Sequence, residues 1–327
     1  MIAAYQPFYQ LLESSITELT QSINGIPAEL YEPQRYILSL GGKRIRPLLA
    51  LVACDLFDQP VKNAVAASLA VELFHNFSLI HDDIMDNAPI RRGKKTVHEK
   101  WNHNIAILSG DDMLVKAYEV LCQSPSDKLK DLLGIFTKTA HEVCEGQQLD
   151  MNFESLDKIS LADYTNMIEL KTAVLLGCSL QLGAIVAGAD KESQTHVYEF
   201  GKELGIAFQI HDDLLDAFPH DEQFGKQIGG DILSDKKTFL LIKSLEIANE
   251  KQFNQFAIWL NNPQAKSDEK INAIRNLYLE LEIPEYCKQQ TELHYQNAIS
   301  SLKKIKANPE KINLLLLFAE ELMNRKN

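Results

Sequence analysis

At 327 residues, 45% of them hydrophobic, the chain is long enough to bury a large core, which excludes the disordered and fibrous classes. A net charge of −12 and a pI near 5.3 exclude nucleic acid or an anionic membrane surface as the main partner, because the average surface repels both. Anionic small molecules stay open wherever basic residues gather locally.

Helical apolar periodicity recurs along nearly the whole chain and strand-like alternation does not persist, so the expected fold class is all-α. With no Pro- or Ser-rich linker, low-complexity tract or short repeat, one domain over 1–327 is expected. The N-terminus MIAAYQPFYQLLESS has no basic region before an apolar run, so no signal or transit peptide is expected. Gly41-Gly42 opens the basic stretch GGKRIRP and reads by itself as a turn. The apolar run from Ala64 to Ile80 is interrupted by Glu72 and His75, which predicts a buried helix and no transmembrane segment. A polar loop at about 87–97 follows, then apolar helices over about 104–122 and 126–145 that could form a homodimer interface. Asp111-Asp112 lacks a third carboxylate and reads as an acidic helix start. Ser160, with Asp163 three residues on, predicts the start of LADYTNMIELKTAVLL. Phe218 to Asp235 is a second long loop, and Asn308 before Pro309 predicts the start of the last helix. The cysteines Cys54, Cys122, Cys144, Cys178 and Cys287 are odd in number and lie mostly in apolar contexts. They predict buried thiols in a reducing cytoplasm rather than disulfides or zinc ligands.

Two segments carry the chemistry. HDDIMD at 81–86 holds Asp82, Asp83 and Asp86, and HDDLLD at 211–216 holds Asp212, Asp213 and Asp216. Each reads DDxxD at the end of an apolar helix-like run. The first and last Asp of such a motif lie four residues apart and share a helix face, where like charges repel and a compensating cation is expected. Hard oxygen donors suit magnesium or calcium rather than zinc, and the spacing does not match a calcium loop. The second constellation is basic: GGKRIRP, Arg91-Arg92, Lys171-Thr172, and Lys226 and Lys236 in FGKQIGGDILSDKKTF. Guanidinium forks and lysine ammonium groups suit phosphate oxygens.

GGKRIRP, HDDIMDNAPIRRGKKTVH, KTA at 171–173, FQIHDDLLD and FGKQIGGDI, in this order, closely resemble the trans-isoprenyl diphosphate synthase (polyprenyl synthetase) family, from about residue 30 to 310. The resemblance implies a helical bundle of the isoprenoid synthase type around a central cavity, usually as a homodimer. It implies a prenyltransferase that joins isopentenyl diphosphate to dimethylallyl, geranyl or farnesyl diphosphate. Magnesium, three ions per site, would be anchored by Asp82, Asp83, Asp86, Asp212, Asp213 and Asp216. By the same resemblance Arg91, Lys171, Thr172, Gln209, Lys226 and Lys236 would contact the allylic diphosphate, and Lys43, Arg46, His75 and Arg92 would bind isopentenyl diphosphate. His75 lies two helical turns before Asp82, on the same face. Competing classes are a terpene cyclase, which would not need GGKRIRP, an HD-type phosphohydrolase, which would leave the third Asp of each motif unexplained, and a noncatalytic partner subunit, which would have lost one acidic motif.

In this family the fifth residue before the first DDxxD often limits chain growth; here it is Phe77, followed by the small Ser78. There is no insertion within DDIMD and no second aromatic at 78, so the resemblance is to short-chain members making geranylgeranyl diphosphate (C20) rather than farnesyl diphosphate (C15). At ~100° per residue Phe77 lies about 140° around from Asp82, Ser78 ~40° and Phe74 ~80°, so Phe74 is a candidate to share the floor of the chain-length limit.

Overall fold

Helices begin where short polar side chains can satisfy the first free amides. Asn102 Oδ1 accepts from the Ile105 amide at 2.9 Å, and Ser160 with Asp163 closes a reciprocal capping box, as does Asn249 with Gln252. Asn308 Oδ1 accepts from the Glu310 amide at 2.9 Å, with Pro309 at the first helical position. The computed structural model describes residues 3–156, 158–219, 229–262 and 264–323. In chain order its helices are α1 (Gln6–Ser22), α2 (Ala28–Ser39), α3 (Ile45–Leu56), α4 (Val65–Met85), α5 (Val97–Lys100), α6 (His103–Leu121), α7 (Leu129–Ser155), α8 (Leu161–Ile168), α9 (Val174–Val186), α10 (Lys191–Ala217), α11 (Gly230–Leu233), α12 (Phe239–Ile247), α13 (Glu250–Trp259), α14 (Ser267–Glu280), α15 (Ile283–Leu302) and α16 (Pro309–Met323). A two-stranded antiparallel hairpin, β1 (Ile90–Arg91) with β2 (Lys94–Lys95), lies between α4 and α5. The fold is therefore all-α, as its sequence predicts.

The chain divides into two compact units. One comprises Met1–Ala140, Leu175–Gly201 and Ser301–Phe318, the other His141–Val174, Lys202–Ser300 and Ala319–Asn327. In the first unit α3 is buried on almost every side, with Leu48, Leu49 and Leu51 fully enclosed, and α4 adds Leu73, Phe74 and Ile80. The second unit is built around Tyr164, Ile168, Ile206, Ile210, Phe239, Leu240, Phe256 and Cys287.

Three expectations need correction. Asp111 and Asp112 do not start a helix: α6 begins eight residues earlier at His103, and Asp112 Oδ2 instead accepts from Gln34 Nε2 of α2 at 2.7 Å. Cys54, Cys178 and Cys287 are buried, but Cys122 and Cys144 are exposed; all five are free thiols. Lastly, two stretches are long and apolar enough to cross a membrane by length and composition, Val61–Met85 and Leu161–Val186, with 61% and 72% of their apolar windows buried. Core helices packed on several sides are apolar nearly all round and meet the same criterion. The charge expected to break the first run, Glu72, is itself buried and neutralised by Arg44.

Candidate active site

The last turn of α4 presents the first acidic motif. Its first and fifth members, Asp82 and Asp86, lie on the partly or fully exposed side, whereas Asp83 points inward and is 1% exposed. Arg91, at the end of β1, grips Asp83: Arg91 Nε lies 2.9 Å from both carboxylate oxygens and Nη2 is 2.7 Å from Oδ1. Its Nη2 is also 3.8 Å from Asp82 Oδ2. The two signs of charge in this segment therefore meet each other at a buried carboxylate. Burial raises the Asp83 carboxyl, and the Arg91 hydrogen bonds and charge pull it back in part.

The glycine pair of GGKRIRP does more than turn the chain. Gly41 has φ 73° and Gly42 φ 142°, and a Cβ on Gly42 would stand 2.9 Å from Arg92 Cζ. Arg92, itself at φ 52°, lays its guanidinium there and donates to the Gly41 carbonyl. Arg44, left-handed at φ 49°, precedes α3 and turns inward to pair with Glu72. That leaves Arg46 on the first turn of α3 facing His75 of α4, with Nη1 3.4 Å from His75 Nε2. A guanidinium only donates, so Nε2 accepts and the imidazole proton sits on Nδ1. Burial, followed by Arg46 and Arg92, holds His75 well below the usual histidine range, and it is neutral. Burial lowers Arg46 to about 10, leaving it charged, and its buried Nε–H has no hydrogen-bond partner among the described residues. Lys43 is exposed. These groups form a cationic set with an unsatisfied inward donor, as an anion site requires.

In the second unit, Lys171 and Thr172 lie on a five-residue π-helical turn, Glu169–Ala173, between α8 and α9. Such turns recur at functional sites because they re-aim side chains within a helix. A Cβ on Gly146 of α7 would stand 2.2 Å from the Lys171 amide nitrogen, so α7 packs directly on the turn's backbone. One turn further along α7, Asp150 Oδ2 accepts from Lys171 Nζ at 2.6 Å. Thr172 Oγ1 donates to Gln209 Oε1 of α10 at 3.4 Å, and Gln209 Nε2 donates to Asp213 Oδ1 at 3.0 Å. Asp212 is exposed; Asp216 accepts from the Asp231 amide at 3.0 Å. Burial pushes Asp213 up to about 6 despite its hydrogen bonds. Lys236 precedes Lys237, whose ammonium donates to the carbonyls of Phe153 (2.6 Å) and Leu156 and so caps the end of α7. Lys226 lies outside the described residues.

Asp150, Gly146 and Tyr164 escaped the sequence reasoning. Gly146 carried a signal, since a glycine inside a helical pattern marks a close backbone approach. Asp150 and Tyr164 carried none, because their roles depend on partners distant in the chain. Among the aromatic residues before Asp82, Phe77 is buried with its ring centroid 5.5 Å from Phe74 and 4.8 Å from His81, and Phe74 stacks edge-on against Phe136 at 5.5 Å. Ser78 donates to the His75 carbonyl at 2.8 Å.

Each unit thus carries an acidic helix end: Asp82, Asp83 and Asp86 beside Arg91 in one, and Asp212, Asp213 and Asp216 in the other, which also holds Lys171 and Lys236. The chain belongs to the polyprenyl synthetase family, whose model matches residues 27–278. It is 36% identical to the geranylgeranyl diphosphate synthase of Methanosarcina mazei over 91% of this chain and 90% of that protein. Among solved structures, a geranylgeranyl pyrophosphate synthase at 43% identity aligns with a TM-score of 0.90 over 97% of this chain and 99% of the other. The geranylgeranyl pyrophosphate synthetase of Pyrococcus horikoshii Ot3 aligns at 32% identity with a TM-score of 0.91, over 99% and 98%.

Proposed function

We propose that the protein is a trans-prenyltransferase that condenses isopentenyl diphosphate with allylic diphosphates and stops at geranylgeranyl diphosphate. The observation that carries this reading is the pairing, in each unit, of a DDxxD helix end with a cationic set. The acidic residues fit magnesium. All their donors are carboxylate oxygens, the hard donors that magnesium prefers. Magnesium is usually held by one or two carboxylates plus substrate phosphates and water, which suits such a donor set. Asp82, Asp86, Asp212 and Asp216, with Asp83 and Asp213, are the residues proposed to anchor three ions. Bound magnesium supplies Lewis-acid stabilisation of charge on a leaving diphosphate.

The remaining steps fall to the chain's own groups. Arg91, Lys171, Thr172, Gln209, Lys226 and Lys236 hold the allylic diphosphate and stabilise the charge that develops on it as the C1–O bond breaks. Lys43, Arg46, His75 and Arg92 orient isopentenyl diphosphate so that its double bond meets C1 of the allylic cation. The neutral His75, its Nε2 facing Arg46, offers its Nδ1–H as a donor without adding charge. A proton then leaves C2, taken by the released pyrophosphate. Apolar side chains of α4 and α9 keep water from the cation. Phe77, backed by Phe74, stops the growing chain. The enzyme acts as a single synthase domain and a cytoplasmic homodimer. Purified protein incubated with magnesium, labelled isopentenyl diphosphate and farnesyl diphosphate should extend the primer. Absence of incorporation, or release of inorganic phosphate instead, would sink this reading.

A further inference from the structure

We infer that Asp213 is a positioning residue, the hub of a buried relay Tyr164–Asp213–Gln209–Thr172 that holds the Gln209 side-chain amide in one orientation toward the diphosphate. The inference rests on the proposed prenyltransferase function and reassigns one of its six aspartates.

In a DDxxD helix end the first and fifth residues share a face, separated by about 40°, while the second is turned about 100° away from the first. The second unit shows the consequence. Asp212 is exposed, but Asp213 is 6% exposed and both its oxygens are taken by protein donors. Gln209 Nε2 donates to Oδ1 at 3.0 Å, while the Tyr164 hydroxyl and the Phe239 amide donate to Oδ2, the latter at 3.3 Å. Phe239 is the first residue of α12, so the carboxylate also faces the positive end of that helix. Tyr164 is 2% exposed, wedged at the centre of the second unit's core with its ring 6.2 Å from that of Phe239. A phenol so enclosed has one hydroxyl to satisfy, and it is spent on this carboxylate. The chain of contacts then continues outward. With one N–H of its amide committed to Asp213, Gln209 must present its carbonyl oxygen to Thr172, whose hydroxyl donates to it at 3.4 Å, and its second N–H remains to donate to a diphosphate oxygen. Asp213 thus fixes the amide orientation of Gln209 from one side, and Thr172 on the π-helical turn locks it from the other. The first motif offers an independent parallel: Asp83, also second in its motif, is buried and held by Arg91.

Tyr164→Phe removes only the hydroxyl and leaves every aspartate in place, which makes it the discriminating variant. It is compared with Asp213→Asn and with Thr172→Val, alone and combined. Binding of inorganic pyrophosphate at saturating magnesium, and the magnesium concentration for half-maximal pyrophosphate binding, are measured by calorimetry, with urea unfolding as the stability control. The relay predicts that Tyr164→Phe and Asp213→Asn each weaken pyrophosphate binding by about tenfold, as expected for losing a hydrogen bond to a charged group. It also predicts a magnesium midpoint within about twofold of wild type, and little further loss when either is combined with Thr172→Val, because one path is being cut twice. An Asp213→Asn variant whose magnesium midpoint rises tenfold while Tyr164→Phe binds like wild type would make Asp213 a metal ligand and overturn the inference. Lower stability with unchanged pyrophosphate affinity in Tyr164→Phe would reduce the relay to a structural contact and overturn it equally. If Asp213→Asn fails to fold, Tyr164→Phe decides alone. Wild-type condensation activity beside unaffected variants means that only the relay is wrong; a wild type that neither condenses nor binds pyrophosphate removes the proposed function and the relay together.

Discussion

Substituting Gly146 by alanine puts one methyl group where the structure has no room. The added Cβ would lie 2.2 Å from the Lys171 amide nitrogen and 2.7 Å from both Lys171 Cα and the Leu170 carbonyl carbon, all backbone atoms that cannot rotate away. Reaching an ordinary contact of at least 3.4 Å requires α7 and the π-helical turn to separate by roughly 1.2 Å at that point. Asp150 rides on the same face of α7 one turn later, so its 2.6 Å contact with Lys171 Nζ would stretch past hydrogen-bonding distance. Helix propensity alone favours alanine by about 1 kcal/mol, whereas overpacking typically costs about 1–3 kcal/mol, so net destabilisation is expected. The functional loss should exceed the structural one, because the substitution displaces Lys171, one of the residues proposed to hold the allylic diphosphate. We expect a lowered Tm, a raised KM for the allylic substrate and a nearly unchanged KM for isopentenyl diphosphate. Thermal melts with steady-state kinetics for both substrates measure this. A Gly146→Ala enzyme that melts at or above wild type with an unaltered allylic KM would refute the argument.

Other expectations follow from the same geometry. Asp82→Asn and Asp212→Asn should each lower turnover by orders of magnitude while circular dichroism stays native, and exhaustive chelation should abolish activity; full activity without magnesium would defeat the metal assignment. Arg46→Ala should raise the KM for isopentenyl diphosphate about ten- to hundredfold and that for the allylic substrate far less, since it removes a charge-assisted donor facing His75; equal losses would show the cationic residues wrongly divided. Phe77→Ala, and more so Phe77→Ala with Phe74→Ala, should lengthen the product, because the two rings touch at a 60° tilt with centroids 5.5 Å apart and the second backs the first. Unchanged product length in both would place the limit on another helix.

Much of this is legible in the sequence. Capping residues such as Ser160 and Asn308 announce helix starts through local chemistry, and the repeated DDxxD announces its own periodicity. Asp111-Asp112 misled because an acidic pair has the same appearance at a helix start and in a helix interior that borrows Gln34 from α2. Glu72 misled in the opposite direction, as nothing local reveals that Arg44 turns inward to neutralise it. The π-helical turn under Lys171 is likewise invisible, since nothing in ELKTA marks it and the backbone it packs on, at Gly146 of α7, lies far away in the chain. What the sequence conceals is which charged group meets a ligand and which meets another residue: Arg44 and Arg46 are two positions apart, and one is structural while the other faces His75.

The most direct test of the central claim is the length of the product formed from labelled isopentenyl diphosphate and dimethylallyl, geranyl or farnesyl primers in the presence of magnesium. The account predicts that all three primers converge on a C20 diphosphate that is not extended further. Accumulation of C15 from the shorter primers, with farnesyl diphosphate left unextended, would contradict it.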